Sequence, residues 1–214
     1  ANASNQEESV SFFNLNLKFT IFASVVISIL LIGVIPLFIS IVFGSAYALA
    51  VEFFAIYVFI VLAINCSNVF ASFLMAQKYA NAVLYCQTFH GILLVTAGMY
   101  LIPLYGLAGF LVVELIACLG ALVIYIIFFG IKIQSTNSIA YLLMRMIPIV
   151  SMFTVAMLAI NSIQPVIIRF SVSVISAIFL GYLFWKTALL QEERKQLKNY
   201  LEQFPMYQKL KIKY

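Results

Sequence analysis

The chain alternates long apolar stretches with very short polar connectors. Residues 19–51, 79–113 and 146–168 contain no Asp, Glu, Lys or Arg, and His90 is the single histidine within them. A helix needs about 20 apolar residues to cross the hydrocarbon core of a bilayer. Uncharged runs of this length are too long to form the core of a small soluble domain. The pattern therefore predicts an all-α, polytopic membrane protein.

The apolar stretches divide into about six predicted transmembrane helices. They cover residues 18–43, 48–74, 81–102, 107–130, 141–160 and 166–185. We therefore divide the chain into an interfacial lead-in (1–17), a six-helix transmembrane lobe (18–186) and a basic tail (187–214). The spacing of apolar positions predicts an amphipathic helix over 187–204 within this tail.

Composition supports the membrane assignment and changes the meaning of the net charge. The chain is 65% hydrophobic and 9% charged, and its mean hydropathy is +1.12, against about 25% charged residues in an ordinary globular protein. Its net charge is +5, and seven of its twelve basic residues lie at or beyond Lys186. A basic segment after a membrane span marks the cytoplasmic side. We therefore expect this positive charge to bind membrane lipids and not nucleic acid.

The other basic residues also favour one side of the predicted bundle. Lys18, Lys78, Lys132 and Arg145 lie in or beside connectors of the same side as the tail, and only Arg169 lies elsewhere. The three connectors of the opposite side carry no basic residue. Cytoplasmic connectors are enriched in Lys and Arg. The distribution predicts a multi-pass protein with both termini in the cytoplasm.

Ionisable groups within the spans are the first candidates for function, because a charge in hydrocarbon costs several kcal/mol. Glu114 either pairs with a neighbouring helix or lines an aqueous cavity. Arg169 either reaches the interface with its long side chain or faces an anionic substrate near the outer mouth. Glu52, one turn into the second span, is expected at the interface.

His90 and the three cysteines give no signature of a metal site. One histidine alone cannot build such a site, and the spacing of Cys66, Cys86 and Cys118 matches neither a metal motif nor a disulfide framework. We expect the cysteines to be small buried apolar groups. His90 is either a hydrogen-bonded structural residue or a proton-handling one. The sequence predicts no metal, cofactor or catalytic residue.

Polar residues form a stripe late in the second span. Asn65, Asn68, Ser67 and Ser72 show spacings of three, four and seven residues, which bring side chains to one helix face. Such groups usually form hydrogen bonds between membrane helices. They are equally suited to line a transport pathway, and the sequence leaves both interpretations open.

A succession of short motifs connects the spans. The motifs are a polar lead-in at Glu7-Glu8, Pro36-Leu37 before Phe43-Gly44-x-x-Tyr47, Asn65 in mid-helix, Gln77-Lys78-Tyr79, and Ile102-Pro103-x-Tyr105-Gly106-x-x-Gly109. Their order and spacing over about residues 5–135 resemble the C-terminal half of lipid-linked oligosaccharide flippases. These flippases form the polysaccharide transporter branch of the multidrug/oligosaccharidyl-lipid/polysaccharide exporter superfamily.

The resemblance implies a transporter of about twelve to fourteen helices in two lobes that works by alternating access. This chain would be its C-terminal lobe, and the N-terminal lobe would be its first partner. The implied substrate is an oligosaccharide on undecaprenyl diphosphate, moved across the bacterial inner membrane for O-antigen, lipopolysaccharide or capsule synthesis. Polysaccharide polymerase machinery is a further implied partner. Arg145 and Arg169 would then be candidates to face the diphosphate.

Three other functions compete with the flippase. A drug or metabolite exporter of the same superfamily would use acidic groups such as Glu114 for a cationic substrate. A stand-alone six-helix scaffold or channel is a second alternative. A membrane enzyme is disfavoured, because the outer connectors are short and the chain has one histidine and no aspartate.

Overall fold

The computed structural model describes residues 3–44, 48–133, 136–161, 166–191 and 193–194. Regular structure in this part of the chain is entirely helical, which confirms the all-α membrane bundle. The helices are α1 (Ala3–Val42), α2 (Ala48–Ala76), α3 (Ala80–Ile133), α4 (Thr136–Asn161) and α5 (Val166–Leu183), and a π-helical turn follows α5 (Phe184–Ala188).

Helix α3 is folded back on itself at Gly106. Its 54 residues would extend for about 80 Å if straight, but Gly106 has φ 56° and ψ −130°. Gln87 in the first half donates a hydrogen bond to the Tyr125 hydroxyl in the second (3.2 Å). The halves, 80–105 and 107–133, are therefore antiparallel. With this division the described part of the chain has six apolar helical segments, in the predicted order.

The lengths and surfaces of these helices suit a bilayer. Within the residues that the structure describes, four helical stretches are long and apolar enough to cross a membrane, at Ser9–Pro36, Ile56–Ala76, Ala80–Ile133 and Ile168–Ala188, and Met146–Ile160 is a shorter apolar helix. Large side chains such as Met99 and Leu104 are more than 70% exposed. Apolar surface on this scale is stable in lipid rather than in water. The chain is a multi-pass membrane protein.

Helix α1 lies at the centre of the bundle. It packs against α2, α4 and α5, whereas α3 packs mainly against α2. Val25 and Ile29 of α1 are completely buried. Gly33 lies so close to the Ser173 side chain of α5 that a Cβ atom would overlap it. Small residues permit this close approach of membrane helices, and here they fix α1 against α5.

The lead-in is continuous with the first span in α1. Phe13 and Leu17 are buried, whereas Phe12 is 71% exposed. The Phe13 ring stacks on Phe129 of α3 at a centroid distance of 4.5 Å and contacts Phe70 of α2 at 5.1 Å. Aromatic packing therefore ties the start of α1 to two other helices.

The connector between α2 and α3 is a Schellman turn. The Tyr79 N–H donates to the Leu74 carbonyl (2.8 Å), and the Lys78 N–H donates to the Met75 carbonyl (3.0 Å). Lys78 occupies the left-handed position at φ 65°, where glycine is usual. Lys132 lies over the Tyr79 ring at 5.8 Å, so Lys78 and Lys132 are at the same end of the bundle.

The described chain ends soon after the π-helical turn. Leu189 has an extended backbone, with φ −84° and ψ 129°, which terminates the π-helical turn, and helical backbone resumes at Gln191, Glu193 and Arg194. Most of the predicted amphipathic helix 187–204 lies outside the described residues. The same holds for Tyr47 and for the side chains of Glu52 and Arg145.

Candidate functional site

A cleft runs between α1 and α2. Its volume is about 340 Å³, and it is open along one side. The walls are mostly aliphatic and aromatic, with a small number of polar groups on both helices. The polar members are Thr20, Ser24, Ser28, Tyr57 and Asn65. A groove of this character accommodates an amphipathic molecule.

Asn65 is the predicted site residue that the cleft contains. Its side-chain amide donates a hydrogen bond to the Ser24 hydroxyl on α1 (2.9 Å). The Asn65 side chain therefore forms a hydrogen bond between helices and also lines the cleft, and its place in a transport pathway stays a prediction. Ser24 and its neighbours were missed in the sequence. Thr20, Ser24 and Ser28 are spaced four residues apart, which places them on one face of α1. This spacing is the feature of the sequence that could have identified them.

The other members of the predicted stripe differ in their exposure. Asn68 and Ser72 are exposed, and Ser67 is buried. Because Asn65, Asn68 and Ser72 are three and four residues apart, they follow one face of α2. The polar face of α2 thus continues from the cleft toward the α2–α3 turn, and we call Thr20, Ser24, Ser28, Asn65, Asn68 and Ser72 the polar lane.

Glu114, His90 and Cys118 form a separate cluster between the halves of α3. His90 Nε2 lies 3.5 Å from Glu114 Oε1. Cys118 Sγ lies 3.5 Å from that oxygen and 3.6 Å from His90 Nε2. Cys118 is buried, and Glu114 and His90 are partly buried. Glu114 thus accepts a hydrogen bond from Cys118 of its own half of α3 and lies beside His90 of the other half.

The cluster is not arranged as a nucleophilic triad. In such a triad the carboxylate and the nucleophile contact different ring nitrogens of the histidine. Here Glu114 and Cys118 both approach Nε2 of His90. One nitrogen cannot be oriented by the carboxylate and receive the thiol proton at the same time. The geometry instead brings three atoms that can bind a metal, one nitrogen, one oxygen and one sulfur, within 4.8 Å of one another.

The remaining predicted site residues lie apart from the cleft and the cluster. Arg169 is partly buried near the described start of α5, and its carbonyl accepts a hydrogen bond from the Ser173 hydroxyl (2.9 Å). Arg145 lies on α4, and its side chain is outside the described residues. Neither arginine is among the described residues that line the cleft.

The turn motifs have structural roles. Gly44 (φ 75°) follows the end of α1, and Gly106 makes the fold in α3. Gly109 packs against the Leu101 carbonyl across that fold. Pro103, one turn before Gly106, is exposed. Glycine suits Gly44 and Gly106 because φ is positive there, and it suits Gly109 because two backbone segments meet there.

A buried ion pair was not anticipated from the sequence. Lys18 Nζ donates to both carboxylate oxygens of Glu193, at 2.7 and 2.9 Å. Glu193 Oε2 also accepts the Leu190 N–H (2.7 Å). The two side chains are 4% and 10% exposed. The pair fastens the segment after α5 to α1, and no local pattern pairs residues this far apart.

These features define a multi-pass helical membrane protein with a cleft that contains polar groups and a partly buried cluster of His90, Glu114 and Cys118. No protein-family model, curated protein or solved structure matches the chain.

Proposed function

We propose that this chain is one lobe of a transporter for undecaprenyl-diphosphate-linked oligosaccharides in the bacterial cytoplasmic membrane. The observation that carries the proposal is the polar lane: Thr20, Ser24, Ser28 and Asn65 line an open cleft between α1 and α2, and Asn68 and Ser72 follow the same face of α2. Hydroxyl and amide groups in hydrocarbon are costly. Their alignment on two adjacent helices favours a pathway for a polar head group.

The chemistry of the cleft fits such an amphipathic substrate. Sugar hydroxyls exchange hydrogen bonds readily with serine, threonine and asparagine side chains. The aliphatic walls and the open side suit a lipid tail that remains in the bilayer during transport. Asn65 and Ser24 bond each other at 2.9 Å, and they would exchange this bond for bonds to the sugar.

Alternating access requires a second body. The motif resemblance supplies the N-terminal lobe as that body, and rocking of the lobes would expose the cleft to each side in turn. Asn68 and Ser72 are exposed, and we assign them to the surface that faces the second lobe. In this proposal both termini are cytoplasmic, the protein catalyses no covalent chemistry, and it supplies repeat units to polysaccharide polymerase machinery.

A reconstituted flipping assay tests this function. The transporter with both lobes is placed in proteoliposomes with a fluorescent undecaprenyl-diphosphate oligosaccharide, and the label accessible from outside is followed over time. We expect Asn65→Leu and Ser24→Leu to slow flipping at least about tenfold, because they replace polar pathway atoms with apolar bulk. Thr96→Val is the matched control, since Thr96 is exposed on α3 and bonds only the carbonyls of its own helix. Equal rates in all variants would overturn the pathway.

The predominance of apolar walls favours one second candidate, an exporter of hydrophobic cations from the same superfamily. The same proteoliposomes distinguish the two. Uptake of a lipophilic cation without movement of the labelled glycolipid would support export and reject the flippase.

A further inference from the structure

The cluster of His90, Glu114 and Cys118 has the composition and geometry of a transition-metal site. We propose that it binds one Zn²⁺-type ion between the two halves of α3. Imidazole nitrogen, carboxylate oxygen and thiolate sulfur are the three ligand types that zinc uses in proteins. These atoms all lie within 4.8 Å of one another.

The separations of the three atoms match the edges of a zinc tetrahedron. Zinc lies about 2.0–2.1 Å from nitrogen or oxygen ligands and about 2.3 Å from sulfur. With tetrahedral angles, those bond lengths place ligand atoms about 3.4 Å apart for nitrogen–oxygen and about 3.6 Å apart for pairs with sulfur. The observed separations are 3.5, 3.5 and 3.6 Å. The three ligand atoms therefore already lie at the mutual separations that a zinc ion requires.

Charge balance favours the ion at this depth in the bundle. Zinc binds the cysteine as thiolate, the glutamate as carboxylate and the histidine as neutral imidazole. One divalent cation with these ligands has no net charge, so the complex avoids the large cost of an unpaired charge in hydrocarbon. Binding releases the Cys118 thiol proton, and no redox step is involved.

The fold supplies the ligands from both sides of the Gly106 turn. Glu114 and Cys118 are four residues apart and share one face of the second half, while His90 lies on the first half. The ion would therefore fasten the two halves to each other. Among the described residues no fourth His, Cys, Asp or Glu joins the group. The fourth tetrahedral position would be left for a ligand from outside these three side chains, such as a water molecule.

Metal binding by the purified protein in nanodiscs tests this site. The protein is stripped with a chelator and titrated with Co²⁺, whose bond to a thiolate gives a charge-transfer band in the near ultraviolet. Zn²⁺ bound per chain is then measured by equilibrium dialysis and mass spectrometry. We expect one ion per chain, a cobalt–thiolate band, and a rise in melting temperature with Zn²⁺.

The variants assign the ligands. Cys118→Ser should abolish the band, and His90→Gln and Glu114→Gln should weaken binding at least about tenfold, because even loss of outer-shell partners costs 10–100-fold. Cys86→Ser is the matched control: Cys86 is buried in the same helix, outside the cluster, so the band should persist. A wild-type protein that retains no ion overturns the site, as does a Cys118→Ser variant with wild-type affinity. Transport is not measured, so the outcome is independent of the proposed function.

Discussion

Gly109 packs against the main-chain carbonyl of Leu101, in the opposite half of α3. A Cβ atom at Gly109 would overlap that carbonyl and also come within 3.2 Å of the Tyr105 Cβ. We expect Gly109→Ala to force the fold at Gly106 apart and to lower the free energy of unfolding by about 2 kcal/mol, as overpacking does elsewhere. Thermal unfolding in detergent measures the change.

Gly91→Ala is the control for this substitution. A Cβ at Gly91 would meet nothing within 4 Å, and alanine has the higher helix propensity. Stability should be unchanged or slightly raised. A Gly109→Ala protein as stable as Gly91→Ala would contradict the close approach across the fold.

The contact between α1 and α5 gives a second prediction. A Cβ at Gly33 would lie 2.8 Å from the Ser173 Cβ, whereas one at Gly181 would lie 3.8 Å from Phe22 Cζ, an ordinary contact. Gly33→Ala should therefore lower the melting temperature by several degrees, and Gly181→Ala should not. Adding Ser173→Gly to Gly33→Ala removes the overlapping atoms and should restore part of the loss. Failure of this rescue would place the effect of Gly33→Ala outside the α1–α5 contact.

The Lys18–Glu193 pair predicts strong coupling between two residues far apart in the chain. Removal of one partner leaves an uncompensated buried charge, which costs about 3–5 kcal/mol. Lys18→Met and Glu193→Gln should each destabilise the protein, while the double variant should be more stable than the sum of the two losses predicts. Chemical unfolding of the four proteins measures the coupling energy. Additive losses would show that the two side chains do not interact.

The left-handed residue of the α2–α3 turn predicts a stabilising substitution. A non-glycine residue in this conformation costs about 1–2 kcal/mol, and Lys78 has φ 65°. Lys78→Gly should raise the free energy of unfolding by about 1 kcal/mol. Lys78→Ala removes the same charge but keeps a Cβ, so it should give no such gain. Equal stability of the two variants would assign the effect to the charge.

The orientation in the membrane is tested by fusion to alkaline phosphatase, which is active only outside the cytoplasm. We expect activity for a fusion after Tyr105, beside the Gly106 fold, and none after Lys78. The physical reason is the concentration of basic residues on the Lys78 side. The reverse pattern would invert the proposed topology, and immunoblotting for equal fusion levels controls for expression.

The helical segments were predictable because a bilayer leaves the backbone few alternatives. Without water to satisfy N–H and C=O groups, each apolar stretch must form a helix, and the connectors then separate six segments. The Gly106 fold was also visible, as a short gap between two apolar stretches. The Asn65–Ser24 contact needed the register of α1 on α2, which hydropathy does not contain.

The cluster of His90, Glu114 and Cys118 could not be predicted for a related reason. Its residues come from both halves of α3, and their meeting depends on the position of the fold at Gly106 and the tilt of the halves. A motif search finds ligands spaced within one segment, and a count of histidines finds one. The convergence of His90, Glu114 and Cys118 is a property of the folded hairpin.

The burial of Lys18 has a consequence for how the protein is made. Glu193 follows Lys18 by 175 residues, so at 5–20 residues per second it is synthesised roughly ten to thirty-five seconds later. During that interval the Glu193 carboxylate does not yet exist. The Lys18 ammonium group can stay hydrated at the membrane surface and keep its end of α1 there. The first helix thus reaches its final environment only after the segment that carries Glu193 has left the ribosome, and synthesis of that segment becomes a step in assembly of the bundle.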